Sequence, residues 1–285
     1  IQTKKKKPGL RKIRVVLPER RHRIEFQQRL VVAGGMLGVN IGGFDDLCQN
    51  LLLETGHLFP MASLPFKHRV LLDSIITVHL REGLGDFSAL RSMPGFISLM
   101  HDLLGELQQA GVNPLDSILE NWKNQNNQVR VLFSIYQEYL HRLERFGWLD
   151  QSFLIQYTLD LVSKSGTRKA QYDLVVIDGF ERFTPPQLRL ISWLDHQNIP
   201  LFISLPLENN SSRPVYRRSS QALEELLSLM PKLEILEVGS PQFIPTAMID
   251  LSANFYQSNF QRVDSGGVVH LLEVQSPLQE ARESL

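Results

Sequence analysis

Cysteine is nearly missing from this chain. Cys48 is the only one in 285 residues, so no disulfide can form within it, and a reducing, intracellular and cytoplasmic setting is expected. Long apolar runs are missing too. No stretch approaches the roughly 18–20 residues that span a bilayer, and no secretory signal is visible, so no membrane partner is expected. A G-x-x-x-x-G-K-[ST] phosphate loop is also lacking: GGMLGVNIGG (34–43) has the glycines without the lysine, and SKSGTRK (163–169) has the wrong order. The histidines, His22, His57, His68, His79, His101, His141, His196 and His270, are scattered without ligand spacing, and one cysteine argues against structural zinc. No G-x-S-x-G nucleophile elbow occurs. Asp45 and Asp46 read as residues of a first helical turn, where negative charge is favoured. Spacing alone therefore yields no catalytic residue, no metal ligand and no cofactor.

What the chain does have is ordinary globular composition and an uneven spread of charge. The net charge is zero, yet residues 1–30 hold eleven Lys and Arg against Glu19 and Glu25, a surplus of about nine. Such a segment suits a polyanion, nucleic acid above all. Lys4–Lys7 taken by themselves read equally well as a solubilising tail. The first residue is Ile1 rather than methionine, and the last residues, ARESL, read as part of a helix opening after Pro277. A piece of a longer protein is expected.

The order of elements points to an α/β fold. IRVVL (13–17) reads as a strand stopped by Pro18. A helix over 20–32 follows, with Ile24, Phe26 and Leu30 as an inner face, then Gly34-Gly35 and a second strand, GVNI (38–41). Gly42-Gly43 leads into the helix FDDLCQNLLLETG. From about 59 to 165 strand signals vanish, and amphipathic helices are expected at 65–81, 95–110, 128–146 and 150–163. Leu132, Ile135, Tyr136, Tyr139, Leu140 and Leu143 form a stripe at helical spacing, the pattern of a core face. Strands return at 174–177 and 200–205, then a polar loop at 207–220, a helix at 221–230, a strand at 233–238, a helix at 246–257 and a strand at 268–274. Alternating strands and helices imply a parallel sheet with helices on both faces. The expected organisation is a discontinuous sheet domain, 1–58 and 166–285, whose last ~40 residues begin a second domain, around a helical insertion, 59–165.

One stretch organises the rest: YDLVVIDGFERFTPPQLRLI (172–191). Leu174–Ile177 is a short β-branched run suited to a strand buried on both faces. Asp178-Gly179 ends it, and Pro185-Pro186 opens a helix with Leu188, Ile191 and Leu194 on one side. A carboxylate at the tip of such a strand lies where open α/β sheets bind ligands; an Asp-Gly pair is equally a plain turn.

In order, these segments resemble the N-terminal, helicase-like region of AddB-type subunits of bacterial helicase–nucleases, relatives of RecBCD and of superfamily 1 helicases. The resemblance is carried by IRVVLPERRHRIEFQQRL (13–30), GVNIGGFDDLCQNLL (38–52), the PGF…AGVNPL run (94–115), IYQEYLHRLERFGWLD (135–150) and YDLVVIDGFERFTPPQLRLISWL (172–194). It implies a RecA-like sheet of the P-loop NTPase type with an inserted all-helical subdomain. It also implies single-stranded DNA as ligand, a partner helicase–nuclease subunit, and a role in double-strand break repair. Arg20, Arg21 and Arg23 would contact phosphates, and Gly43-Phe44-Asp45 would lie at a second DNA contact, with Phe44 either stacking on a base or packing in its own helix. Asp178 matches the magnesium-binding Asp of the Walker B motif.

The departures from an active helicase are specific. The Glu that positions water after that Asp is here Gly179, the following Gln-Asp is Glu181-Arg182, and ISLPLE (203–208) replaces the segment carrying the γ-phosphate sensor. The resemblance therefore implies an inactivated helicase fold. Any P-loop would lie upstream of Ile1, with ATP and magnesium left to the full-length protein, and any nuclease beyond Leu285. Two alternatives remain: an active DNA-dependent ATPase in which Glu181 supplies the missing acid, and a scaffold whose helical insertion docks a partner helicase.

Overall fold

The computed structural model describes residues 12–35, 37–54, 56, 65–81, 93, 95–116, 122, 126–164, 172–207, 214–238, 246–254 and 266–267. The chain divides into two compact units, Ile1–Lys232 and Leu233–Leu285.

Four short strands build the first unit: β1 (Ile13–Val16), β2 (Val39–Gly42), β3 (Leu174–Ile177) and β4 (Leu201–Ile203). They form one all-parallel sheet of order β2–β1–β3–β4, in keeping with the α/β expectation. Register sets Arg14 beside Asn40 and Val175, and Val16 beside Gly42 and Ile177. Side chains at register partners of a parallel pair share a face, so these six line one side. On it Val175 and Ile177 are buried, while Leu174 and Val176 on the other side are only partly covered. The β3 strand is thus deeper on one face than its unbroken apolar run suggests.

The helices explain that asymmetry. α1 (Arg20–Val32) joins β1 to β2, and α7 (Pro185–His196) joins β3 to β4 in the opposite direction across the sheet. Right-handed crossovers put two such helices on opposite faces. The helix α1 forms where its pattern predicts but buries none of its residues; Ile24, assigned to an inner face, is 46% exposed. Its alternation of basic and apolar groups leaves too narrow a stripe to seat it deeply. The other face is well covered. α2 (Phe44–Glu54) buries Phe44, Leu47, Cys48, Leu51 and Leu52, α6 (Leu154–Lys164) packs on α2, and α7 packs on α6. Burial pushes the Cys48 thiol up to about 12. The start of α7 is closed by a capping box, Thr184 with Gln187, and its Leu188, Ile191 and Leu194 are buried as their spacing predicts.

Between β2 and β3, α3 (Pro65–Arg81), α4 (Phe96–Gln109) and α5 (Asn127–Phe146) pack around their own core. Of the stripe on α5, Ile135, Tyr136, Tyr139 and Leu143 are buried, with Leu132 and Leu140 partly buried against them. Asn126 caps α5 through the Gln128 and Val129 N–H groups, and Gly147 ends it at φ 61°. The helix expected over 150–163 opens instead as a 3-10 turn, Gln151–Phe153, capped by Asp150, before α6 begins at Leu154.

Two further expectations need correction. α8 (Arg217–Leu229) begins inside what reads as a polar loop, because Ser219 joins Ala222 and Leu226 on its buried side. In the second unit no strand forms at 233–238; the segment is irregular, with Ile235, Leu236 and Val238 at 58%, 73% and 87% exposure. Apolar composition favours a strand only where a neighbour supplies the ladder, and the described residues provide none here. α9 (Thr246–Asn254) starts where the helix over 246–257 is expected. Residues 255–257, the strand at 268–274, the helix after Pro277 and Lys4–Lys7 lie outside the described residues. Among the described residues no helix is long and apolar enough to cross a membrane.

Candidate nucleic-acid interface

The residues singled out from the sequence meet at the carboxyl edge of the sheet. Pairing continues one residue past each strand: Leu17 N donates to Gly42 O (2.8 Å), Asp178 N to Val16 O (3.0 Å) and Ser204 N to Ile177 O (3.0 Å). Because the chain leaves β1 toward one side and β3 toward the other, the tips at Pro18 and Asp178 flank the topological switch point, where open parallel sheets bind their ligands. Asp178 accepts a short hydrogen bond from the Ser204 hydroxyl. Gly179 sits at φ 81°, a conformation costly for any residue with a Cβ, and an added Cβ would lie 3.4 Å from Pro18 Cδ.

The helix α1 starts at this edge. Glu19 occupies its N-cap without a side-chain cap, and the first turn holds no acid but Arg20, Arg21 and Arg23. Arg20 and Arg21 are exposed and line a shallow depression with Ile24, Glu25 and Gln28. Arg23 is turned inward. Its Nη1 lies 3.3 Å from Asp46 Oδ2, and its Nε donates to Leu17 O (3.4 Å). Asp46 Oδ2 also accepts from Gly43 N (2.7 Å), so one carboxylate joins the starts of α1 and α2. This crowding is why Gly42-Gly43 lacks side chains: a Cβ on Gly42 would come 2.5 Å from Asp46 Oδ2, and one on Gly43 2.5 Å from Arg23 Nη2.

Phe44 is 5% exposed and meets Phe180 and Phe183 edge-on, at 5.3 and 6.4 Å between ring centroids. Asp45 Oδ2 accepts from Gln151 Nε2 (2.6 Å). Arg20, Arg21, Arg23, Gly43, Phe44, Asp45 and Asp178 therefore all belong to loops and helix starts at one edge, with only Arg20 and Arg21 of the arginines turned to water.

Two participants escape sequence reading. Phe180 and Phe183 clamp the Asp178 loop onto α2; their spacing of three just after Asp178-Gly179 was the available signal. Arg14 is completely buried in β1, with Nη1 donating to Asn40 Oδ1 (2.8 Å) and Nη2 to Gly43 O (3.3 Å). A lone charge inside the strand IRVV was its signal. Desolvation holds the guanidinium below its usual range, opposed by the nearby Tyr172 and Asp46.

These features define an α/β domain that gathers its chemistry-bearing residues at the carboxyl edge of a parallel sheet and places several helices between its second and third strands. The family described as ADDB, N-terminal matches residues 1–248. The chain belongs to that family, the N-terminal domain of AddB in the AddAB helicase–nuclease of double-strand break repair. No match is found among the curated proteins.

Proposed function

We propose that this domain is an inactivated, RecA-like helicase domain that holds single-stranded DNA along the carboxyl edge of its sheet and does not hydrolyse ATP. The observation that carries the reading is the start of α1. Cations in a first helical turn oppose the helix dipole, at about 0.3–1 kcal/mol each. Arg20 and Arg21 stand there without a compensating acid in that turn, beside N–H groups that no side chain caps. A phosphate relieves both strains at once. Arg23 and Asp46 hold this helix start against Gly43, and Phe44, packed on Phe180 and Phe183, supports the neighbouring loops from beneath. In this reading the DNA lies over the Gly43 backbone with Asp45 at its margin, and an AddA-type helicase subunit supplies the motor. Asp178 is the remnant of a magnesium site.

The inactivation rests on Gly179. No carboxylate stands there to orient an attacking water. The backbone at φ 81° has also settled into a form that a side chain resists. Gly179→Glu is therefore expected to confer no ATP hydrolysis and to lower stability by about 1–2 kcal/mol, read from single-turnover assays and urea denaturation. ATP hydrolysis by the wild-type protein that Asp178→Ala abolishes would defeat the inactivation.

DNA binding is tested by fluorescence anisotropy of a labelled single-stranded oligonucleotide across a salt series. The double variant Arg20→Ala/Arg21→Ala is expected to bind more weakly. Its log–log salt slope should be shallower by about 1.4, or about 0.7 for each phosphate deprived of its arginine. Unchanged affinity and slope would remove both arginines from the interface.

A further inference from the structure

The helical subdomain holds a cluster with no part in the edge just described. His68 lies in the first turn of α3, His101 on α4, and Asp150 at the corner leading into α6. One ligand-type atom from each lies within 4.8 Å of those of the other two. Asp150 Oδ2 is 3.9 Å from His68 Nδ1 and 3.7 Å from His101 Nε2. Those distances are too long for hydrogen bonds. They are slightly wider than the roughly 3.3–3.6 Å that separates neighbouring ligands of a tetrahedral ion bound at about 2.0–2.2 Å.

Three more observations fit an ion. His101 Nε2 is shut off from water without a hydrogen-bond partner, an uncommon state for a buried polar atom. The carboxylate is held from outside the cluster: Tyr139 donates to Asp150 Oδ2 (2.9 Å), and Ser152 N donates to Oδ1 (3.2 Å). Such outer contacts aim the ligands of metal sites. The same Tyr139 hydroxyl lies 2.8 Å from His68 Nδ1, a hydrogen bond that the ion would replace. His68 and Asp150 are 3% and 6% exposed, whereas the His101 side chain keeps 19%, which leaves a way in from that side.

We propose that His68, His101 and Asp150 bind one divalent transition-metal ion of the zinc class. Two imidazole nitrogens and one carboxylate oxygen suit Zn²⁺, Co²⁺ or Ni²⁺ and discriminate against Mg²⁺ and Ca²⁺, which prefer all-oxygen ligands. The imidazoles supply lone pairs, the two gaps to Asp150 close by a few tenths of an ångström, and a water would complete the ligand set. The ion would fasten α3 and α4 to the corner from which α6 runs onto α2, tying the helical insertion to the helices over the sheet.

The test uses the full chain, stripped with a chelator and titrated with Co²⁺ under visible absorption. One saturating Co²⁺ per chain, displaced by Zn²⁺, is expected. His101→Gln, at the rim, is expected to weaken it roughly ten-fold or more while the circular dichroism stays native. Zn²⁺ but not Mg²⁺ should raise the melting temperature of the wild type and leave that of His101→Gln unmoved. Absence of saturable Co²⁺ absorption overturns the site. So does equal affinity in natively folded His101→Gln and His68→Gln, which would assign the ion to other histidines.

Discussion

Replacing Arg14 with alanine is expected to lower the unfolding free energy by about 3–5 kcal/mol, among the largest effects of any single change in the sheet. The side chain is fully buried and bridges β2 and the start of α2 through Asn40 and Gly43. Alanine would remove both hydrogen bonds, although Gly43 O keeps the Leu47 N–H and Asn40 faces water, so most of the loss comes from the cavity opened beneath α2. Methionine should do much better, losing under about 2 kcal/mol, because it fills a similar volume and removes a charge that is costly to desolvate. Urea denaturation of both variants decides this. Equal losses would mean that the hydrogen bonds dominate over volume; a loss below about 1 kcal/mol for alanine would mean that Arg14 does not brace the fold. Because Arg14 reaches Gly43, its loss should also loosen the edge assigned to DNA.

Phe44→Ala is the second large effect, expected at about 3–5 kcal/mol from a buried aromatic. The ring contacts Phe180 and Phe183, which themselves pack at 5.5 Å, so its removal unseats the loop behind Asp178 as well as the first turn of α2. Phe44→Leu keeps most of the apolar contact and should lose under about 1.5 kcal/mol. The leucine variant, being folded, then reports on DNA. Retained single-strand affinity is expected if the ring only supports the interface, and a loss near the ~1–3 kcal/mol of a stacked base would give it a direct contact instead.

Much of this domain is legible in the chain itself, and the reasons differ by element. The strands at 13–16 and 174–177 and the helices at 65–81, 127–146 and 185–196 follow from short-range features: β-branched runs, apolar residues three or four apart, and Pro, Gly and Asn at the ends. The order of those segments also carried the resemblance to AddB, and the family match bears it out. Failures came where a local pattern had no tertiary partner or an unexpected one. Leu233–Val238 has the composition of a strand but nothing described to pair with, and α1 has an apolar stripe that finds little to cover.

Local residue patterns by themselves determined the alternation of strands and helices, the helices at 65–81 and 127–146, the cationic start of α1 and the family, because each is written in neighbours along the chain. Only the tertiary structure decided that Arg14 lies in the core, that Phe44 closes against Phe180 and Phe183, and that positions 68, 101 and 150 share one buried spot. Those facts depend on strand register and helix packing between distant segments, and no spacing in the linear sequence records them.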